Sequence, residues 1–234
     1  MSPLSRRTFL RHSAVAATAG LTAASLRPSV WAAPVGANGA IRLGLIGCGA
    51  KGTAHVQQIL KRSDARVVAL CDVDPAQLAK VTAVALTQMA AGMLKAKAGT
   101  LLLNSGYRSF DTQKIVHERQ VARLGLKAGE ALAARPGYSE HQTGLAADVS
   151  AAGQGCVIQV CFATTKAGKW LAANAWQYGF ILRYPNGQTA TTGYQFEPWH
   201  FRYVGVDLAT EMKSQNITVL EKFWKLPAAP SYTY

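Results

Sequence analysis

The most restrictive pattern in the chain lies in residues 41–74. The run "IRLGLI" reads as an apolar strand. Gly47, Gly49 and Gly52 follow in G-x-G-x-x-G spacing, then a helical pattern, then a second strand, "ARVVALCDVD", with Asp72 twenty residues beyond Gly52. Glycines so spaced allow a tight turn and close backbone approach to a pyrophosphate at a helix N-terminus, and an acid at the position of Asp72 can accept from a ribose hydroxyl. A mononucleotide half requires a third strand, and a dinucleotide site requires a second half beyond that. Neither follows. The front of the chain is therefore limited to one small, incomplete Rossmann-like β-α-β unit, read as a structural appendage.

Ahead of this unit, "SRRTFLR" at Ser5–Arg11 is followed by the apolar, uncharged run Ala14–Leu26 and by "VWAAP". The arginine pair, apolar run and small-residue site resemble a twin-arginine export signal. The run falls short of the roughly 20 residues that span a bilayer as a helix. Residues 1–33 are accordingly read as a signal cleaved after Ala32, and the mature protein is expected in the periplasm or cell wall without a stable membrane span. With this leader, Gly47–Asp72 resembles the start of an exported Gfo/Idh/MocA-type oxidoreductase. That resemblance stops near residue 80, and the Glu-Lys-Pro tripeptide of that family's catalytic region does not occur in the chain. NAD binding through Gly47, Gly49, Gly52 and Asp72 is not expected, because a single β-α-β unit leaves the nicotinamide end without a pocket.

The segment "PAQLAKVTAVALTQMAAGMLKAKAG" has a proline at a plausible first helical position, abundant Ala, Leu and Lys, and Gly99 as a stop. One helix is expected to bridge two pieces, a unit at residues 34–82 and a domain at residues 83–234. In the second piece a strand is expected at 100–104, a helix from about Asp111 and a short helix ending near Arg135. An apolar strand at Val157–Phe162, a helix through "KWLAANAWQYG", short strands at 180–184 and 194–203, and two closing helices follow. Short Gly and Asn turns such as "YPNGQ" between strands indicate an antiparallel sheet with packed helices, an α+β domain.

The net charge of +13 is spread along the chain without a block of like charges. It favours anionic surroundings, acidic cell-wall polymers among them, without naming one. No nucleic-acid module accompanies it, and nucleic acid is not an expected partner. Cys48, Cys71, Cys156 and Cys161 form no CxxC pair, which excludes a zinc ribbon. Cys156 and Cys161, five apart in an expected strand, would point to opposite faces, so free, buried thiols are expected.

Three clusters carry candidate chemistry: "SGYRSFDTQ" at Ser105–Gln113, "YSEHQTGLAADVS" at Tyr138–Ser150 and "EPWHFRYVG" at Glu197–Gly205. His141 and Asp148, seven apart, cannot share a face of an unbroken strand, but a turn at Gly144 would fold them together. Glu197 and His200, three apart, allow one to hold a metal while the other approaches its water. A His, Asp, His set of nitrogen and oxygen donors suits zinc best. Isolated histidines such as His12, His55 and His117 are assigned no role.

Together S-x-H-x-x-G-x-A-x-D, E-x-W-H and the upstream S-G-Y-R resemble the VanY-type D-alanyl-D-alanine carboxypeptidases, over roughly residues 83–225. These belong with the VanX dipeptidases, phage L-alanyl-D-glutamate peptidases and hedgehog signalling domains. The resemblance implies a zinc DD-peptidase fold with His141, Asp148 and His200 as zinc ligands and Glu197 as the general base. Arg108 would bind substrate and stabilise the oxyanion, with Gln113 and Ser139 holding the terminal D-Ala. Trp199 would pack beside the site or form a wall for the D-Ala methyl. The implied substrate is a peptidoglycan stem peptide ending in D-Ala-D-Ala. Alternatives are an endopeptidase or D,D-dipeptidase of the same fold, a catalytically silent cell-wall binding module, or, resting on Gly47–Asp72 alone, an NAD-dependent oxidoreductase.

Overall fold

The computed structural model describes residues 41–228 and Tyr232, apart from residues 60, 63, 64 and 73. The expected export signal lies outside the described residues. Strand β1 (Ile41–Ile46), helix α1 (Ala50–Ile59) and strand β2 (Ala65–Cys71) form the expected β-α-β unit, with β1 and β2 paired in parallel. A Cβ on Gly52 would lie 2.0 Å from the Gly47 carbonyl oxygen, so the glycine is what lets α1 rest on the turn. The Asp72 carboxylate accepts from the backbone N–H groups of Cys48 and Asp74. The acid that a ribose would need thus ties the glycine turn to the end of β2.

Helix α2 (Pro75–Lys95) is the expected bridge, 21 residues in one run, or roughly 30 Å at 1.5 Å per residue. Its first half places Leu78 and Val81 against Leu45, Cys48, Val56 and Ile59 of the front unit. Its second half places Ala85, Leu86, Met89 and Met93 in the main core. A boundary between residues 82 and 83 therefore falls inside a helix that belongs to both cores, and Ala40–Tyr234 form one compact unit.

The chain continues through β3 (Leu101–Ser105), α3 (Phe110–Leu124), α4 (Leu126–Glu130), β4 (Ala146–Ala151) and α5 (Lys166–Asn174). It closes with β5 (Phe180–Leu182), α6 (Thr189–Thr192), β6 (His200–Tyr203), α7 (Val206–Ser214) and α8 (Leu220–Trp224). Ser109 caps α3 by accepting from the Thr112 N–H at 3.2 Å, and Thr165 caps α5 by accepting from the Gly168 N–H at 3.0 Å. The four later strands form an antiparallel sheet in the order β3-β4-β6-β5.

Alternation along β4 and β6 gives this sheet two different faces. Ala147, Val149, Phe201 and Tyr203 enter the main core with α2, Phe162, Leu171 and Phe180. Full burial of a side chain such as Phe201 contributes about 2 kcal/mol. Asp148 and His200 point the other way and are direct partners in the β4–β6 register. Among the described residues no helix is long and apolar enough to cross a membrane.

Two expectations are corrected at residues 156–164. No strand forms at Val157–Phe162; Cys156 and Ile158 have φ of 56° and 51°, and a 3-10 turn follows at Val160–Thr164. The chain doubles back, bringing the Cα atoms of Cys156 and Cys161 to 5.6 Å in a disulfide. That separation is normal for the bond. The opposite-face argument for free thiols applied to a strand that is absent.

Gly144 ends a 3-10 turn at Glu140–Thr143 with φ 72° and ψ 7°. A Cβ here would lie 2.2 Å from the Pro75 carbonyl oxygen and 2.7 Å from the Ala79 nitrogen, so the turn sits directly on the first turn of α2. Gly144→Ala should cost at least the roughly 1–2 kcal/mol of a left-handed residue bearing a Cβ. Thermal unfolding followed by circular dichroism should show a midpoint lower by about 2 °C or more, and an unchanged midpoint would contradict the close approach.

Candidate functional site

The three sequence clusters meet at one cleft on the face of the sheet opposite the core, lined among others by Arg108, Gln113, Ser139, His141, Glu197 and His200. Asp148 and His200 arrive there through strand register, and their side chains meet with Oδ1 3.0 Å from Nδ1. His141 comes from the 3-10 turn that precedes β4. Its Nδ1 donates to the Gly106 carbonyl at 2.7 Å, while the Arg108 N–H donates to the His141 carbonyl at 3.2 Å. These two bonds lock the His141 turn to the loop after β3 and leave Nε2 facing Asp148 Oδ2 at 3.1 Å.

Glu197 and His200 occupy the ends of a tight turn in which the His200 N–H donates to the Glu197 carbonyl at 3.0 Å. Pro198 supplies the fixed φ favoured at the second position of such a turn. The turn brings Glu197 Oε2 to 3.8 Å from His200 Nδ1, close but beyond hydrogen-bond range. Trp199, between them, packs into the main core and also lines the cleft.

The ligand atoms of His141, Asp148 and His200 all lie within 4.8 Å of one another. Ligand atoms of a tetrahedral zinc, at 2.0–2.1 Å from the metal, are roughly 3.3 Å apart. The 3.0 and 3.1 Å contacts, one to each Asp148 oxygen, fall near that edge length, so each oxygen stands beside one of the two rings. The donor chemistry fits as well. Each imidazole has its other nitrogen engaged, His141 with a carbonyl and His200 with a carboxylate, which leaves one nitrogen per ring turned toward Asp148.

Electrostatics divide the two carboxylates. Burial alone would raise Asp148, but hydrogen bonds from His141 and His200 outweigh it and hold this carboxyl far below the usual range. Burial pushes Glu197 up to about 8, Asp148 and Glu140 add to the rise, and His200 and Arg108 oppose it. One acid is thus kept as an anion and the other is poised to carry a proton near neutrality. Burial lowers His141. It also opposes charge on His200, yet bonds to Asp148 and Glu140 prevail and push that imidazole up to about 10.

Arg108 crosses the floor of the cleft. Its Nη2 donates to Asp148 Oδ2 at 2.5 Å, Nη1 to Gln113 Oε1 at 3.1 Å and Nε to Ser105 Oγ at 2.7 Å. Gln113 is fully buried and donates to the Ala134 carbonyl at 2.7 Å. Ser139 is buried at the cleft wall. All eight residues singled out in the later part of the sequence, Trp199 included, therefore converge. Gly47, Gly49, Gly52 and Asp72 do not line this cleft.

Two neighbours of His200 were not singled out. The Glu140 carboxylate reaches its Nε2 at 3.4 Å, and the Tyr184 ring packs on the imidazole with centroids 4.9 Å apart. Glu140 stands between Ser139 and His141 in a chain with only 12 acidic residues, a signal that was available. Tyr184 had none, since its contact arises from β5 and β6 lying side by side.

A family model described as VanY, D-alanyl-D-alanine carboxypeptidase, matches residues 75–206 and so begins at the first residue of α2. A D-alanyl-D-alanine carboxypeptidase of Enterococcus faecium is 38% identical over 146 residues, 62% of this chain and 43% of that protein. The LdcB LD-carboxypeptidase structure is similar at 41% identity and a TM-score of 0.56, covering 62% of this chain and 67% of that one. A zinc complex of a mutant vancomycin-resistance D,D-pentapeptidase VanY is similar at 32% identity and a TM-score of 0.53, covering 61% and 81%. The chain spans 43 to 46% of the length of three carboxypeptidase relatives and 64% of a bifunctional D-Ala-D-Ala dipeptidase and carboxypeptidase of Enterococcus gallinarum.

The raised Glu197 carboxyl has a consequence for the metal-free protein. An unfolded carboxyl ionises near 4.5 and the folded one near 8, so folding takes up a proton between those values and stability falls as pH rises through that window. Glu197→Gln removes this penalty. The metal-free variant should be more stable than the parent at pH 8, by up to about 4 kcal/mol, with the difference vanishing near pH 4. Chemical denaturation in chelator at both pH values measures it, and equal stabilities at pH 8 would show that the carboxyl is not desolvated.

Proposed function

The chain belongs to the VanY family of D-alanyl-D-alanine carboxypeptidases, and from this premise we propose that it is a zinc-dependent carboxypeptidase that removes the terminal D-Ala of peptidoglycan stem peptides. The observation that carries the reading is the buried His141, Asp148 and His200 triad, its ligand atoms within 4.8 Å, with Glu197 beside it and pushed up to about 8. Zinc at that triad would lower the pKa of a water and polarise the scissile carbonyl.

The remaining steps belong to the chain's own side chains. Glu197 takes the proton of the attacking water as the oxygen–carbon bond forms, then delivers it to the amide nitrogen of D-Ala as the carbon–nitrogen bond breaks. A carboxyl that exchanges protons near neutrality suits both transfers. Arg108, anchored at Gln113, Ser105 and Asp148, presents positive charge where the carbonyl oxygen becomes negative. Gln113 and Ser139 hold the departing D-Ala at the buried end of the cleft.

The likeness to the LdcB LD-carboxypeptidase supports a second reading that keeps this machinery and changes the residue before the terminal D-Ala. A D-Ala at that position gives a D,D bond, and an L-residue gives an L,D bond. The experiment is D-alanine release by the mature protein from a stem pentapeptide ending in D-Ala-D-Ala and from the corresponding tetrapeptide ending in an L,D bond, with zinc and with chelator. Release from the pentapeptide, abolished by chelator and reduced about 100-fold or more by Glu197→Ala, supports the first reading. Release from the tetrapeptide alone supports the second, and release from neither by folded, zinc-loaded protein removes both.

The same reading extends to location. The leader around Arg6 and Arg7 supports export by the twin-arginine route, which would deliver the folded protein to the periplasm or cell wall, where its substrate lies. Replacing both arginines with lysine should leave the precursor in the cytoplasmic fraction, and unchanged export would overturn that route.

A further inference from the structure

We infer that Glu140 is a positioning residue that fixes the orientation of His200, so that this ring meets the metal through Nδ1. The inference rests on the zinc reading above. It is carried by the way the Glu140 carboxylate is divided between its neighbours. Oε1 accepts from Arg183 Nε at 2.8 Å and Arg202 Nη1 at 3.1 Å. Oε2 is left to His200, with Nε2 at 3.4 Å.

The bracket that holds the carboxylate is itself held. Arg183 donates from Nη1 and Nη2 to the two oxygens of Glu221 on α8, at 3.0 and 2.5 Å. Glu140, itself part of the cleft lining, is therefore braced from a second element and cannot turn away from His200 without breaking its bonds to two guanidinium groups. The formal charges of Glu140, Glu221, Arg183 and Arg202 sum to zero, so the group does not need a charged imidazole to balance it. Tyr184 packs along the His200 ring at a 32° tilt, a wall against rotation.

A carboxylate only accepts, so His200 Nε2 must carry the hydrogen in this contact. A 180° flip of the ring would exchange Nε2 and Nδ1 and forfeit that bond. With the ring held, Nδ1 stands 3.0 Å from Asp148 Oδ1, inside the ligand cluster. His141 is fixed in the opposite sense, its Nδ1 on the Gly106 carbonyl and its Nε2 in the cluster. The two imidazoles thus present different nitrogens, each selected by a partner behind the ring. Loss of such a partner elsewhere weakens metal binding 10–100-fold.

The test compares zinc dissociation constants, by competition with a chromophoric chelator, for the parent protein, Glu140→Gln and Arg202→Met, alongside thermal unfolding of each in the metal-free form. Glu140→Gln should bind zinc about 10–100-fold more weakly, with a smaller loss in Arg202→Met, where Arg183 still holds the carboxylate. A purely structural role would lower the metal-free midpoint and leave the zinc constant unchanged, and variants that fold and bind zinc like the parent would overturn the inference. Long-range 1H–15N NMR of the zinc-loaded parent decides the matter without a variant: His200 should carry its hydrogen on Nε2, and a hydrogen on Nδ1 would refute the assignment. Failure of the parent itself to bind zinc would instead sink the zinc reading on which the inference stands.

Discussion

The direct pairing of Asp148 with His200 across β4 and β6 is the constraint on which the site depends. Strand side chains alternate with period two, so a slip of one residue in this register would carry one of the two into the core and an apolar neighbour into the cleft. Ala147, Val149, Phe201 and Tyr203 oppose such a slip because each loses its buried environment if the register moves. The same hydrophobic alternation that stabilises the sheet therefore sets the distance between two ligands. Everything else at the site is attached to this pair by loops: His141 through the turn before β4, Glu197 through the turn before β6, and Arg108 through the segment after β3.

Helix α2 extends this dependence to the front of the chain. One helix face serves two cores, with Leu78 and Val81 in the smaller and Met89 and Met93 in the larger. Its first turn also receives Gly144, where no side chain larger than hydrogen fits. The β-α-β unit contributes none of the cleft's lining, yet it packs on the half of α2 that abuts the His141 turn. A glycine fingerprint closed on itself by Asp72 is consistent with such a role, since its polar groups satisfy one another.

Much of this was legible in the sequence wherever a pattern is local. The Gly144 turn, the Glu197 to His200 spacing, the long bridging helix and the antiparallel sheet all follow from periodicity and turn chemistry. What escaped depended on residues distant in the chain or on backbone conformations that residue type does not announce. Cys156 and Cys161 pair because two non-glycine residues adopt positive φ, a rare state that an apolar run conceals. The pairing of Glu140 carries no local signal because its partners, Arg183 just after β5 and Arg202 on β6, lie some forty to sixty residues away. The expected bridge between the two pieces is a single helix, α2, whose two halves serve both cores, so a boundary near residue 82 marks a change of sequence character within one element.

The site is also organised for metal before metal arrives. Asp148 is surrounded by donors from Arg108, His141 and His200, and in the metal-free protein an extra proton on His200, whose imidazole is pushed up to about 10, helps to satisfy that anion. A divalent ion would take over this balancing role and expel the proton, so the cage exchanges one positive charge for another without rebuilding its hydrogen bonds behind the rings. Glu197 stands outside this balance. Its carboxyl stands 3.8 Å from His200 Nδ1, beyond hydrogen-bond range, and the desolvation that raises it is a cost to folding that the pairing of Asp148 does not offset. Ligands held by satisfied bonds and a base raised by desolvation beside them are what separate binding a metal from using one.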